Sequence, residues 1–240
     1  MSRGRLDLES LERQVADGSI ETVVTAIPDL YGRLMGKRIL GSFFLEEIAR
    51  EGMHACDYLL ACDMEMEPTP GYAFTSWEQG YGDMRAVPDL STLRRAAWLD
   101  RTALVLCDCF EEEGEAPIAV SPRAILRKQV LRAERAGVVP FLASELEFFL
   151  FSETYASARA KGYRDLALSQ AYNEDYHLLS GGFAEPVIGA IRRGVDASGV
   201  PVEFSKGEAS PGQHEINLRY AQALEMADRH VIYKLSLIHI

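Results

Sequence analysis

The second half of the chain carries acidic side chains at spacings that suit a divalent metal ion. Glu145 and Glu147 lie two residues apart inside the largely apolar run 139–151. On a β-strand such residues share one face and lie about 7 Å apart. The opposite face of this strand is apolar, with Leu142, Leu146, Phe148 and Leu150. We therefore expect both faces to be buried, so the carboxylates need either salt bridges to Arg or Lys or a hard divalent ion.

A second acidic segment, residues 202–220, could bring more carboxylates to the same place. Two strands joined by its Pro-Gly turn would set Glu208 and Glu215 side by side. Four carboxylates could then converge at one end of a sheet. Glu215, Asn217 and Arg219 share one strand face by their period of two, which adds a guanidinium of the kind that binds phosphate. A polar strand face by itself is usually solvated, but two such acidic segments together favour a metal site.

Other polar residues near these segments have simpler interpretations. His214 adjoins Glu215, so on a strand it is predicted to point to the opposite face. Glu174 and Asp175 lie between two tyrosines and could line a substrate-binding opening. A solvated loop is the favoured interpretation of this acidic pair.

Alternating helices and strands are predicted around these residues. In the first half, the pattern predicts a helix over 8–16, strands over 21–27, 33–40 and 97–110, and a structured loop over 67–89. In the second half it predicts strands over 138–151, 200–205 and 213–220, and helices over 122–137, 183–197 and 221–233. Ser121 and Pro122 form a helix start signal, and Gly137 a stop signal. The strands that carry the carboxylates are therefore expected to pack against helices.

Composition and charge narrow the possible partners. The chain has 240 residues with 48% hydrophobic residues, enough to bury a sizeable core. Its formal net charge of -11 repels phosphate backbones, so no nucleic-acid partner is expected. No apolar run approaches the roughly 18 residues of a membrane span, and the N-terminus does not have the features of a signal peptide. We therefore predict a cytoplasmic protein with no membrane contact.

Two motifs resemble segments of the glutamine synthetase superfamily. The strand Ala-Ser-Glu-Leu-Glu-Phe-Phe around Glu145 is similar to the family's E-x-E strand. Residues 206–215, Lys-Gly-Glu-Ala-Ser-Pro-Gly-Gln-His-Glu, resemble its E-x-x-x-G-Q-x-E metal segment. Residues 29–39 and 87–93 resemble parts of the family's N-terminal β-grasp domain. Within the superfamily, these segments are closer to the bacterial γ-glutamyl-amine ligases than to the ammonia-using enzymes.

This resemblance implies an α+β fold in two parts. Residues 1–116 would form a β-grasp domain, and residues 117–234 the first part of a catalytic domain built from an antiparallel sheet with helices. Residues 235–240 do not resemble the corresponding segment of relatives, so they are predicted to be a non-native tail. The family's catalytic domain continues well beyond this point, and we therefore expect the 240-residue chain to be inactive by itself.

Site roles also follow from the resemblance. Glu147, Glu208 and Glu215 would hold one Mg²⁺ or Mn²⁺ ion, and Glu145 would share in a second ion that bridges the ATP phosphates. The residues implied to contact the nucleotide are Glu203, Leu218, Arg219 and Tyr220. Leu218 would make its contact through the backbone.

The implied reaction is an ATP-dependent ligation of the γ-carboxylate of glutamate to ammonia or an amine, through a γ-glutamyl phosphate. Two or more divalent ions would serve each site. The acid that deprotonates the acceptor would come from the N-terminal domain, where Asp63 and Asp83 are candidates. The full-length protein would form a homo-oligomeric ring, a dodecamer. A true glutamine synthetase that uses ammonia and a non-catalytic structural or regulatory member are the alternatives, and the amine is left open.

Overall fold

The computed structural model describes residues 4–78 and 80–239, with side chains described through residue 237. The strands in this part of the chain are β1 (Thr22–Pro28), β2 (Leu34–Leu40), β3 (Met53–Cys56), β4 (Asp83–Pro88), β5 (Arg94–Arg95), β6 (Thr102–Glu111), β7 (Phe141–Phe149), β8 (Val202–Gly207) and β9 (Gln213–Gln222). The helices are α1 (Leu8–Ala16), α2 (Gly41–Phe43), α3 (Ala49–Glu51), α4 (Pro122–Arg135), α5 (Tyr155–Ala160), α6 (Leu178–Gly181), α7 (Glu185–Ala197) and α8 (Ala223–His239). A π-helical stretch, Phe44–Ile48, joins α2 to α3. The mixed α+β class predicted from the sequence is confirmed.

The strands form two sheets. The larger sheet has the order β2-β1-β6-β4-β3, with β5 also paired to β6. Its first two strands form an antiparallel hairpin, and β1 lies parallel to β6. The smaller sheet is antiparallel with the order β7-β9-β8. None of the helices in the described residues is long and apolar enough to span a bilayer.

The last helix, α8, extends into the segment predicted to be a non-native tail. Residues 235–239 of that segment are helical and continue α8 without a break. Residue 240, the last of the predicted tail, lies outside the described residues.

The period of two along the central strand β6 divides the core into two clusters. One face of β6, with Ala103, Val105, Cys107 and Cys109, packs in a cluster with Leu11 of α1 and Phe44 of the π-helical stretch. The other face, with Leu104 and Leu106, packs in a second cluster with residues of α7, α8 and the smaller sheet. Burial of both faces explains the continuous apolar run in this strand. The second cluster therefore fixes the smaller sheet against the larger one.

The smaller sheet has one packed face, which contradicts the expectation that β7 is buried on both sides. Leu146 and Phe148 pack in the second core cluster, whereas Glu145 and Glu147 on the opposite face are exposed. β7 is an edge strand of a three-stranded sheet, and in the described chain no layer covers its carboxylate face. The two carboxylates are therefore accessible to solutes rather than buried.

The prediction of a loop over residues 67–89 is wrong for the C-terminal part of this segment. Residues Asp83–Pro88 form β4, which pairs with both β3 and β6. Met84 and Ala86 alternate with more exposed residues, as expected of a half-buried strand. The alternation is too short, and too close to Pro and Gly, to have been recognised from sequence.

A buried arginine connects the two halves of the molecule. Arg123, near the start of α4, has a side chain only 2% exposed and donates hydrogen bonds to three aspartates. The distances are 2.5 Å to Asp108 of β6, 2.7 Å to Asp89, and 2.9 and 3.0 Å to Asp228 of α8. The larger sheet, α4 and α8 are thus held by one guanidinium.

Substituting Gly36 with alanine is expected to destabilise the fold by about 2 kcal/mol or more. An added Cβ would lie 1.8 Å from the carbonyl oxygen of Thr25 on the paired strand, so the β1–β2 hairpin would have to separate. Urea unfolding monitored by circular dichroism would measure the loss. Gly181→Ala is the matched control, because its Cβ would meet nothing within 4 Å. A Gly36→Ala protein as stable as this control would contradict the expectation.

Candidate metal centre and active site

Three carboxylates, two on strands and one just after a strand, meet at one end of the smaller sheet. Glu147, Glu208 and Glu215 each place a carboxylate oxygen within 4.8 Å of the other two. Glu147 and Glu215 are paired directly across β7 and β9. Glu208 follows β8, and its N–H donates to the carbonyl of Gln213 at 2.8 Å, which closes the hairpin. The structure thus brings together three of the four glutamates selected from the sequence.

The turn that sets this register depends on Gly212. Its φ of +71° lies in the left-handed region that favours glycine. Its own carbonyl accepts the N–H of Leu150 at 2.8 Å, just beyond β7. The Pro-Gly turn predicted between Glu208 and Glu215 therefore joins two strands and also connects them to the third.

The close approach of Glu208 and Glu215 perturbs both groups. A hydrogen bond with Glu208 and partial burial raise the pKa of Glu215 above its usual range. The same hydrogen bond, with Lys206 nearby, lowers the pKa of Glu208. Like charges at this distance do not both ionise easily, so the pair favours a nearby cation. Hard oxygen ligands crowded in this way fit a Mg²⁺ or Mn²⁺ ion.

Glu145 lies two residue pairs along the sheet from the Glu147–Glu215 pair. It is opposite Asn217 on β9 and accepts a hydrogen bond from the Asn217 amide at 3.1 Å. Glu147 likewise accepts a hydrogen bond from the amide of Gln213 at 2.5 Å. Neither Glu145 nor Glu147 forms an ion pair with a side chain of the described residues, so the salt-bridge alternative is not found there. Two amides instead orient the carboxylates.

Lys206 was not selected from the sequence, yet it lies at the centre of the site. Its ammonium forms a hydrogen bond with Glu208 and lies 3.6 Å from Glu215 and 3.4 Å from Asp175. It also lies 4.6 Å from the centre of the Tyr176 ring. Desolvation opposes its charge, but the bond to Glu208 outweighs it and raises the pKa of Lys206 above the ordinary value. A permanent cation therefore contacts two of the three carboxylates.

The residues implied to contact nucleotide lie toward the other end of the same strands. Glu203 of β8 lines a cavity of about 720 Å³ between β8 and the region of α6 and α7. Leu218 is buried in the second core cluster, so its side chain packs and only its backbone is free to act. Arg219 is exposed, and Tyr220 packs edge-on against Phe141 with ring centres 6.0 Å apart. These positions leave Glu203, Arg219 and Tyr220 accessible to a ligand.

Asp63 and Asp83 lie away from the three carboxylates. The carboxylate of Asp63 accepts two backbone N–H groups, from Glu65 and Glu67, at 2.8 and 3.0 Å. Asp83 begins β4 and forms an exposed group with His54 and Glu112, whose ligand atoms lie within 4.8 Å of one another. Neither aspartate belongs to the Glu147 group within the described chain.

Glu174 is fully buried, which contradicts its interpretation as part of a solvated loop. Its carboxylate lies 3.8 Å from Nε2 of His214 and has no hydrogen-bond partner among the described residues. The imidazole packs against Phe148 on the face opposite the carboxylates, as its strand position predicted. Burial lowers the pKa of His214. Glu174 therefore belongs to the packed side of the sheet, and only Asp175 faces the site.

Comparison with known proteins identifies the family. A sequence model described as glutamine synthetase, catalytic domain, matches residues 119–240, about half of the chain. The chain belongs to the glutamine synthetase family. The matched range begins just before α4 and contains all four candidate metal ligands. The family assignment made from the E-x-E and E-x-x-x-G-Q-x-E segments is therefore confirmed.

Two relatives within the glutamine synthetase family are named as amine ligases. A gamma-glutamylethanolamide synthetase from Streptomyces coelicolor is 44% identical over 229 residues, covering 95% of this chain and 49% of that protein. A glutamate–isopropylamine ligase from a Pseudomonas species is 33% identical over 216 residues, covering 90% of this chain and 47% of that protein. This glutamine synthetase family chain thus spans about half the length of the curated relatives it matches.

Solved structures support the same fold. A structure described as a GmaS complex with ADP superposes with a TM-score of 0.75 at 23% identity. The match covers 95% of this chain and 48% of the solved one. At this level of identity the likeness shows the fold alone. The shared fold extends over both sheets.

Proposed function

We propose that the complete protein is an ATP-dependent ligase that joins the γ-carboxylate of glutamate to a small amine or ammonia. The observation that carries this proposal is the group formed by Glu147, Glu208 and Glu215, three carboxylates brought together in a glutamine synthetase catalytic domain. The names of two relatives as amide synthetase and amine ligase support an amine as the acceptor. When bound, divalent ions neutralise charge on the transferred phosphoryl group.

The chain's carboxylates would hold these ions in fixed positions. Glu147, Glu208 and Glu215 would hold the first ion, and Glu145 would contribute to a second ion. The amides of Gln213 and Asn217 keep two of these side chains oriented. Outer hydrogen bonds of this kind matter because a ligand that rotates freely binds metal less tightly.

The nucleotide would lie along the sheet, away from the three-carboxylate group. Arg219 is four residues beyond Glu215 on β9, a distance of about 14 Å along an extended strand. That separation leaves room for a triphosphate between the carboxylate group and the base. Glu203, Arg219 and Tyr220 offer accessible side chains at this end, and Leu218 offers its backbone.

Two substitution steps account for the products. In the first, an oxygen of the glutamate γ-carboxylate attacks the γ-phosphorus of ATP, and the bond to the ADP oxygen breaks. In the second, the amine nitrogen attacks the γ-carbonyl carbon of the acyl phosphate, inorganic phosphate leaves, and the nitrogen loses a proton to a carboxylate. Asp63 and Asp83, both in the N-terminal domain, are the candidate acceptors of this proton.

The larger assembly is also part of the proposal. Residues 1–116, with their mixed sheet and helices on one face, would serve as the β-grasp domain, and residues 117–234 as the catalytic part. Copies of the complete protein would form a ring, as a dodecamer, in the cytoplasm. An exposed carboxylate face on β7 supports an assembly in which another chain segment covers it.

An amine panel tests the proposed reaction. We expect the complete protein with Mg²⁺, ATP and glutamate to release phosphate when ethanolamine, isopropylamine or putrescine is added, and to form the matching γ-glutamyl amide by mass spectrometry. Reactions without glutamate provide the background rate. Release with ammonia alone would instead identify a true glutamine synthetase. Absence of product with every acceptor would identify a non-catalytic family member.

A further inference from the structure

Lys206 occupies the space between the metal-binding carboxylates. Its ammonium bonds to one oxygen of Glu208 and lies 3.6 Å from Glu215. These are two of the three residues whose oxygens lie within 4.8 Å of one another. The lysine side chain is 18% exposed, so most of it is covered by the surrounding residues. In this arrangement Lys206 provides the positive charge that the carboxylates need.

A divalent ion and this ammonium would compete for the same carboxylates. Metal–oxygen bonds of about 2.0–2.6 Å to Glu208 and Glu215 would weaken the contacts that these carboxylates now make with Lys206. Two cations within a few ångströms also repel each other strongly in a partly desolvated site. Binding of the metal therefore requires Lys206 to move.

The ammonium has two further partners in the structure. Asp175 lies 3.4 Å from the Lys206 nitrogen, and the ring of Tyr176 lies 4.6 Å from it. Both residues are outside the three-carboxylate group, and a carboxylate with an aromatic face is a favourable site for an ammonium. The ammonium can therefore give up Glu208 and Glu215 and still keep these two partners.

The segment that carries these partners is held firmly beside β8. Asp175 forms a bridge with Gly207, and the amide of Asn173 donates to the carbonyl of Ala209 at 3.2 Å. Gly207 permits the contact, because a Cβ there would lie 2.4 Å from the carbonyl oxygen of Glu174. Backbone contacts therefore hold these two partners beside β8.

We propose that Lys206 is the resident cation of the metal site, and that the metal displaces its ammonium onto Asp175 and Tyr176. This inference rests on the proposed metal site and adds to it a competitor built into the chain. The lysine stabilises the metal-free protein and weakens metal binding. Removing the lysine should therefore lower the stability of the metal-free protein and increase its affinity for the metal.

Calorimetric titration with Mn²⁺ tests the competition. We expect Lys206→Met to lower the Kd for Mn²⁺ about tenfold, equivalent to 1.4 kcal/mol, because no ammonium has to be displaced. The same variant should have a lower Tm than the wild type without metal and a larger rise in Tm with it. Lys161→Met is the matched control, since its ammonium pairs with Glu153 outside the site. Unchanged or weaker Mn²⁺ binding by Lys206→Met would overturn the inference.

Asp175→Asn provides a second test, in which Mn²⁺ binding is expected to weaken rather than strengthen. Removing the carboxylate that receives the displaced ammonium should raise the Kd for Mn²⁺ about threefold, the size of a partly exposed ion pair. An equal or lower Kd would argue against Asp175 as the partner that keeps the displaced ammonium. If neither the wild type nor Lys206→Met binds Mn²⁺, the proposed metal site fails, a result distinct from failure of the lysine inference.

Chemical labelling of the wild type gives a readout that needs no variant to fold. A water-soluble acetylating reagent modifies exposed lysine amines, and mass spectrometry measures the yield at each lysine. We expect Mn²⁺ to increase acetylation of Lys206 relative to Lys161, because Asp175 and Tyr176 are more exposed than the two glutamates. A Lys206 yield that Mn²⁺ leaves unchanged or lowers would overturn the displacement.

Discussion

Replacing Glu215 with glutamine is expected to reduce amine-dependent phosphate release by the complete protein about 10³-fold, or roughly 4 kcal/mol. Glu215 is the least exposed of the three clustered carboxylates and is hydrogen-bonded to Glu208. Glutamine keeps the size of the side chain but removes the charge that a divalent ion requires. Steady-state measurement of kcat/KM, together with Mn²⁺ titration, would show both losses.

A control for this substitution must change a carboxylate of similar type outside the site. Glu134 on α4 is exposed and separate from the acidic group, so Glu134→Gln should keep activity and Mn²⁺ affinity near the wild-type values. Glu215→Gln should fold as the wild type does, because the neutral amide relieves crowding with Glu208. Full activity in Glu215→Gln would exclude this residue as a metal ligand.

Replacing Arg123 with methionine is expected to destabilise the protein by about 3–5 kcal/mol, the usual cost of removing one partner from a buried ionic group. Methionine retains much of the apolar stem, so the loss comes mainly from the charge. Asp89, Asp108 and Asp228 would then face one another with only Arg127 bound to two of them. Denaturant unfolding at pH 7 would measure the change in the free energy of unfolding.

The acid dependence of stability provides a second test of this network. Burial opposes ionisation of Asp89, but hydrogen bonds from Ser91 and Arg123 outweigh it and lower its pKa from 3.8 to about 2. The stabilisation by Asp89 is therefore complete above about pH 4 and is lost as the pH falls through about 2. Arg123→Met should reduce this acid dependence, whereas Arg132→Met on the exposed side of α4 should not. Equal stability of the two variants would contradict a structural role for Arg123.

Local sequence patterns were enough to predict that Glu147, Glu208 and Glu215 lie close together, and to predict the strands around them. The spacing of Glu208 and Glu215 around a Pro-Gly turn requires a hairpin, and strand alternation then decides which side chains share a face with Glu215. The opposite direction of His214 followed from the same rule. These are local consequences of backbone geometry, so a single sequence suffices to infer them.

The groups that complete the site, and those that are buried, depend instead on tertiary packing. Lys206 carries no signal in sequence, because Asp175 and Tyr176 reach it only through the bridge between Asp175 and Gly207. Burial of Glu174 likewise depends on the sheet packed against it.

The same limit explains the exposed face of β7 and the arginine network. An apolar pattern predicts that a strand packs against a core. It does not predict whether the chain covers one face of the strand or both. Arg123 and Asp228 are 105 residues apart in sequence and meet only because α4 and α8 pack together against the larger sheet. Contacts of that range depend on how whole elements pack, which local spacing does not encode.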